Sequence, residues 1–440
     1  MSLYKRKFLG ILILIFNLFA FHSEAIREIT ITEGHVDPIP IAINKFSFSS
    51  SSEQDLMKKI TEVISHDLGS SSYFKILPQA AFIESEIGIK HKPLFASWRQ
   101  IKAQILLNGH IYQRGGTTEI SFIIWDSSLE KAIHKEVIEL PSHLWRRGAH
   151  KIADTIYERV TGDKGYFDTR IAYVSESYAG GKKFKRLAVM DFDGNNHKFL
   201  TDGKDLVLTP RFSPDANKII YISYQKHKPQ LYLKDLKTGR ESPLGGFPGI
   251  SFAPRFSPDG RKALFSIANK GSTNIFEIDL KTKKVAKLTN NFAINTSPSY
   301  SPDGRKIVFN SDRSGSRQIY VMNSDGSNVE RISFGSGIYA TPVWSPKGDY
   351  IAFTKIAGGF TIGVMRSDGS DERSIASGYL VEGPTWSPSG RLIMFSKEQR
   401  GYGREGNLSN LYYIDLTGNN EHMVYTPKNA SDPEWSSLLD

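Results

Sequence analysis

The sequence predicts an α+β protein of two domains, a small N-terminal α/β domain followed by a six-bladed β-propeller closed by its own C-terminal strand. Three observations predict it. A phrase of proline, any residue, an aromatic and serine returns at Pro210, Pro254, Pro298, Pro342, Pro384 and Pro433, with spacings of 44, 44, 44, 42 and 49 residues. Periods of roughly 40 to 50 residues are those of propeller blades. Between copies the chain reads as four short strands joined by Gly-, Asp-, Asn- and Ser-rich turns. Before the first copy nothing repeats, and two helical patterns lie among strands.

Each repeat unit runs in the same order. After the aromatic-serine pair comes a turn such as "PDG", and then an apolar strand: "KIIYIS", "KALFSI", "KIVFNS", "YIAFTK" or "LIMFSK". A third strand of the type "LYLKDL" or "IYVMNS" follows, and a second turn leads to a fourth strand. Earlier copies of the second and third strands, "RIAYVS" from Arg170 and "LAVMDF" from Leu187, have no Pro-x-aromatic strand of their own. The last copy, "DPEWS", has nothing else. Together they make one blade, which closes the ring without leaving an edge strand exposed. Asp215, Asp259 and Asp303 recur at one position where later copies carry Lys347 and Ser389. A position that accepts lysine and serine is not catalytic; Pro, Asp and Gly serve the turn. Where the first copy lacks glycine it has Ala216-Asn217, and the asparagine is the residue expected to take the left-handed conformation.

The N-terminal domain is expected over 26–165 and the propeller over 166–440. "PIPIAINKFSF" reads as strand; "SSEQDLMKKITEVISHDLG" is a helix with Leu56, Ile60, Val63, Ile64 and Leu68 on one face, stopped by Gly69. A hairpin is expected about Gly115-Gly116, then a further strand, then a second amphipathic helix ending at Gly162, and a short linker near "DKGYFDT". Residues 1–25 read as a secretory signal: Lys5, Arg6 and Lys7 precede the apolar "FLGILILIFNLFAF", with Ser23 and Ala25 at the small positions of a cleavage site. A helix of 14 residues is about 21 Å long, short of a hydrocarbon core of roughly 30 Å. Export predicts a mature chain without membrane insertion, of net charge +8 once three bases and Glu24 are removed from +10.

The sequence has no cysteine, which excludes disulfides and thiolate chemistry. No nucleophile elbow, P-loop or H-E-x-x-H occurs. "DFDGNN", Asp191 to Asn196, lacks the closing Glu of an EF-hand and occupies the repeat's second turn, so it reads as a turn. His143 and His150 lie seven apart on the second helix and could share a face, but no third ligand is evident. Lys182, Lys183, Lys185 and Arg186 are the densest basic run and read as a strand flank, not a nucleic-acid patch. No cofactor, metal or catalytic constellation is expected.

The repeat Pro-x-aromatic-Ser-Pro-Asp-Gly, followed by [Ile/Leu]-Tyr-x-[Met/Ile]-[Asp/Asn], resembles that of the TolB family, WD40-like periplasmic propellers of the Tol–Pal envelope system. The order of signal, domain of roughly 140 residues and six repeats resembles that family over the whole chain, as do "REITITEG" and "PIPIAINKF" at the mature start. The resemblance implies a non-catalytic adaptor acting in outer-membrane integrity and cell division. It implies that one propeller face holds Pal, the peptidoglycan-associated lipoprotein, and that the N-terminal segment, about Ile26 to Asp37 and above all Ile26, Arg27, Glu28, Ile29, Thr30 and Ile31, engages TolA. For the Pal face it implies the loops before the repeat prolines, with Ile250, Ala253, Thr296 and Ser297; Ile250 stands where the family often has a polar or basic residue. By geometry Tyr339 and Tyr379 are added as rim aromatics. The alternative is a periplasmic propeller enzyme, a lyase or glycosidase working in the central funnel. Its candidate acids are Asp205, Glu382 and Asp432, one per blade and not obviously paired.

Overall fold

The computed structural model describes residues 37–84, 88–225, 228–401 and 407–440. The expected signal and the segment Ile26 to Ile31 lie outside the described residues. The N-terminal sheet is built from β1 (Ile39–Ile43), β2 (Ser47–Phe48), β3 (Phe74–Ile76), β4 (Ile105–Arg114), β5 (Thr117–Asp126) and β6 (Lys131–Pro141). Its order is β3-β1-β4-β5-β6, with β2 also on β4; β1 runs parallel to β3 and β4, while β4, β5 and β6 form antiparallel hairpins. Gly115 and Gly116 turn the first hairpin at φ of 59° and 85°, where both central residues need the left-handed region.

Helices α1 (Gln54–Ser70) and α3 (Trp145–Thr161) cover one face of this sheet, and the 77–103 segment with α2 (Phe95–Gln100) covers the other. Gly162 caps α3 in the left-handed conformation, as expected. Gly69 does not stop α1. The helix runs through Ser70, and the Ser71 hydroxyl donates to the Leu68 carbonyl at 2.6 Å. At its other end Glu53 accepts the backbone N–H groups of Ser49, Ser50 and Gln113, tying the first turn to β4.

Five four-stranded antiparallel sheets follow in chain order, and the sixth takes its innermost strand from Asn429–Trp435 and its other three from Arg170–Ala179, Lys182–Asp191 and Lys198–Phe199. The C-terminal strand thus closes the ring. On the second strand of each blade, Tyr173, Tyr221, Phe265, Phe309, Phe353 and Phe395 are all fully buried between sheets. Six equivalent aromatics, each worth about 1.5–3 kcal/mol of burial, explain why the blades pack face to face. The repeat serine explains the turns. Ser213, Ser257 and Ser301 donate to Asp215, Asp259 and Asp303 at 2.5–2.6 Å. Where the fourth copy has Lys347, Ser345 uses Asp349, and in the fifth Ser387 pairs with Ser389. In the first copy it is Ala216, at φ 52°, that takes the left-handed position, not Asn217. The turn's geometry places φ > 0 at the glycine position itself, and the neighbouring asparagine donates its N–H to Asp215 and accepts the Leu236 N–H at its carbonyl.

The segment between the domains is packed rather than loose. Tyr166 and Phe167 are buried, with Tyr166 against Tyr157 of α3 (5.4 Å) and Phe192 of the sixth blade (5.5 Å), and Phe192 stacks on Trp435 at 5.3 Å. One apolar core therefore runs from the N-terminal sheet into the propeller.

Candidate functional site

Antiparallel order gives each blade two ends. The turns after the first and third strands lie on one face of the propeller, and the loops leading into the innermost strands lie on the other. The N-terminal domain takes the first face. Asp163 accepts Lys347 Nζ at 2.5 Å and Arg391 Nε at 2.7 Å, both on turns of the type "SPxG". Burial pushes the Asp163 carboxyl up, but these two cations outweigh it and hold it below its usual range. Arg147 grips Asp168 and the Asp440 carbonyl, and Arg146 pairs with Asp193 of the "DFDGNN" turn. That segment is a turn, as expected, but its reach into the neighbouring domain was not legible from the repeat.

Among the described residues the opposite face is free of the N-terminal domain, and it carries exposed apolar side chains. Ile250 is 53% exposed, Phe292 96%, Phe334 75% and Tyr379 48%. The residue four before each repeat proline is Leu206, Ile250, Ile294, Ile338 or Leu380 in five of six blades, so an aliphatic recurs around the rim. Sequence reasoning singled out only Ile250 of these; the repeat alignment, carried four residues upstream of the proline, reveals the rest.

The expected site residues occupy three levels. Ile250 and Tyr379 stand on the rim, with Arg400 over the Tyr379 ring at 4.4 Å. Thr296 is half-buried on its strand, while Ala253 and Ser297 line the channel. Tyr339 is not on the rim: it is fully buried, and its hydroxyl donates to Glu372 at 2.7 Å. The reason is the two-residue period of a strand. The residues three before the prolines, Val207, Ser251, Asn295, Tyr339, Val381 and Ala430, all point into the blades and are all buried.

At the repeat prolines every innermost strand has a register shift. Proline has no N–H for the ladder, and a bulge absorbs it. The residue before it has positive φ in all six blades: Thr209, Ala253, Ser297, Thr341 and Asp432 at 46–55°, and Gly383 at 67°. This ring of bulges lines a channel cavity of about 120 Å³. Of the expected funnel acids, Glu382 and Asp432 meet there and Asp205 is not among the lining residues. Burial, then the neighbouring Asp432 charge, push the Glu382 carboxyl up. Across the channel, Glu434 sits between Arg211 (3.5 Å) and Arg255 (3.3 Å), and also accepts the Thr385 hydroxyl at 3.1 Å. Burial lowers Arg255 to about 10 against the pull of Glu434. This cluster was missed because its members come from four blades, 44 to 223 residues apart.

The basic run lies on the third strand of the sixth blade, where Lys183 and Lys185 bracket Glu176 of the second strand at 2.5 and 2.7 Å. His143 and His150 do not share a face: His143 is exposed on the turn before α3, whereas His150 is buried in it, its Nδ1 2.6 Å from Asp67 of α1.

Fold and site together define a six-bladed propeller protein with an accessory α/β domain on one face and an apolar rim on the other. Residues 27–133 match the family described as the TolB amino-terminal domain, and residues 157–439 match the TolB beta propeller domain. The chain is 58% identical over 434 residues to the Tol-Pal system protein TolB of Rickettsia bellii, covering 96% of this chain and 98% of that one. It is 56% identical to the protein of the same description from Rickettsia felis, with the same coverage. A solved structure, TolB from Acinetobacter baumannii, superposes with a TM-score of 0.80 at 27% identity, covering 91% of this chain and 97% of that one. The chain belongs to the TolB family.

Proposed function

We propose that this chain is a non-catalytic periplasmic adaptor of the Tol–Pal system, exported by a cleaved signal over residues 1–25. In this reading the propeller, from about residue 166, binds the peptidoglycan-associated lipoprotein on its free face. Residues 26–37 at the start of the N-terminal domain bind TolA. The link between the two serves outer-membrane integrity and envelope constriction at division. The observation that carries the reading is the free face itself, where Ile250, Phe292, Phe334 and Tyr379 expose apolar surface that a partner can cover. The Rickettsia relatives, named as Tol-Pal system proteins over nearly their full length, support the same system for this chain. Among the described residues no helix is long and apolar enough to cross a membrane, in keeping with an adaptor reached through its surfaces. The channel supports binding at the rim over catalysis in the funnel: about 120 Å³ is well below the roughly 300–1,000 Å³ of small-molecule sites.

The test is site-specific crosslinking in cells from positions 250 and 296, with the captured protein identified by mass spectrometry. Capture of a peptidoglycan-binding lipoprotein is expected, and its loss in the double variant I250D/F292D. Capture of no envelope protein from either position sinks the Pal reading. Deleting residues 26–37 is expected to abolish TolA binding and leave lipoprotein binding intact; TolA affinity unchanged by the deletion refutes the second half.

A further inference from the structure

Where α1, α3 and the third-strand turn of the sixth blade meet, a buried cluster of ionisable groups has no part in the reading above. His150 of α3 receives or gives a proton at Nδ1 across 2.6 Å to Asp67 Oδ2, and both side chains are almost wholly buried. In the neutral ring the carboxylate draws the proton to Nδ1 and leaves the Nε2 lone pair free. Nε2 is buried with no hydrogen-bond partner, and it points toward Asp193 Oδ2, 3.9 Å away. A carboxylate behind one imidazole nitrogen and an unused second nitrogen in front is the arrangement that orients a metal-binding histidine.

We propose that this seam is a binding site for one zinc-type dication, held by His150 Nε2, Asp193 and Asp191. The candidate ligand atoms of His150, Asp191 and Asp193 all lie within 4.8 Å of one another. Tetrahedral zinc, with bonds of about 2.0–2.1 Å, sets its ligand atoms about 3.3 Å apart. The 3.9 Å separation therefore closes with side-chain rotation of about half an ångström. His66, at the solvent edge, forms a second group with Asp67 and Asp193 and is the further ligand within reach. Asp67 Oδ1 is a second buried atom here without a hydrogen-bond partner. An access path exists: a cavity of about 250 Å³ opens onto Asp193 between His66, Trp145 and Arg146.

Arg146 is the group in competition. Its Nη2 pairs with Asp193 Oδ2 and its Nε stands 4.0 Å from Asp191, but that Nε is itself buried without a hydrogen bond. The Arg146 guanidinium faces the carboxylates of Asp191 and Asp193, with His150 and Asp67 behind them, and the Asn196 amide also donates to Asp191 Oδ2 at 2.6 Å. The guanidinium is a monocation in a site whose donor set suits a dication. Uptake swings Arg146 toward the cavity, transfers the ring proton that would otherwise sit on Nε2 to solvent, and ties both helices of the N-terminal domain to the propeller through one ion.

The test uses the full mature chain, stripped with chelator and titrated with zinc by calorimetry in two buffers of different protonation enthalpy. Cobalt absorption in the visible reads the coordination. One equivalent is expected to bind with proton release. Asp193→Asn is expected to weaken it at least about tenfold. Arg146→Met, which leaves every ligand in place, is expected to tighten it about tenfold and decides the matter if the Asp193 variant does not fold. No saturable uptake by the native chain, or affinity unchanged in Arg146→Met, overturns the proposal.

Discussion

Trp435 offers the strongest test of how ring closure and domain joining are coupled. It lies on the C-terminal strand, 4% exposed, stacked on Phe192, edge-on to Tyr166 at 6.0 Å, and its indole N–H donates to Thr169 at 2.9 Å. A buried aromatic of about 150–250 Å² contributes about 4–6 kcal/mol at ~25 cal/mol/Å². Measured Trp→Ala losses of about 3–5 kcal/mol are the better guide, since unfolded chains already bury part of that surface. Loss of the Thr169 hydrogen bond adds about 1 kcal/mol, so Trp435→Ala should cost about 4–6 kcal/mol. With a urea m-value of about 3 kcal/mol/M for a chain of this size, the midpoint by circular dichroism falls by roughly 1.5 M. The comparison is Trp344→Ala, the same repeat position in the fourth blade. Trp344 touches no residue of the interdomain core, and its N–H donates to the Gly348 carbonyl. That variant should lose about 3–4 kcal/mol while the joint at Gly162 keeps its resistance to limited proteolysis, whereas Trp435→Ala should expose it. A midpoint shift under about 0.5 M for Trp435→Ala, or equal protection of the joint in both variants, would refute the claim that one core spans both domains.

Three further outcomes follow from the same geometry. Asp163 is held below its usual range by Lys347 and Arg391, so its contribution is complete above the unfolded carboxylate value of about 3.9 and fades as pH falls through the lower folded value. Asp163→Asn should cost about 1–2 kcal/mol at pH 7, discounted because both cations are partly exposed. It should also flatten the decline in stability below about pH 4, measured by urea titration across pH 3–7. Glu53→Gln replaces a buried carboxylate that accepts three backbone N–H groups; it should lower stability by about 2 kcal/mol, and amide exchange at Ser49, Ser50 and Gln113 should rise with it. Ala216→Gly relieves a left-handed strain of about 1–2 kcal/mol but gives up one buried methyl of about 0.8 kcal/mol and some chain entropy. The net change in unfolding free energy should be within about 0.5 kcal/mol of zero, whereas Ala216→Val, branched at the same φ, should be strongly destabilising.

The propeller was legible because its determinants are local and repeat. Strand alternation, the serine–aspartate turns and the aromatic on each second strand lie within a few residues of one another, so six copies of the same short pattern report on six copies of the same geometry. Even the closing strand could be assigned, because the surplus at one end of the chain matches the deficit at the other. The same local logic failed by single residues where a strand's facing decides the matter. Tyr339 was placed on the rim and lies one position off it, and Asn217 was given the φ that Ala216 adopts.

What no local pattern carries is the joining of distant surfaces. Arg211, Arg255 and Glu434 meet in the channel only because the ring closes, and the bulges that aim residues inward follow from a proline inside each innermost strand, which only the paired neighbour makes awkward. Asp163 between Lys347 and Arg391, and His150 between Asp67 and Asp193, exist only because one face of the propeller receives the N-terminal domain. Repetition writes a blade many times over in one dimension. A charge cluster is written once, in residues up to 228 positions apart, and takes shape only when packing removes those groups from water and leaves each other as their partners.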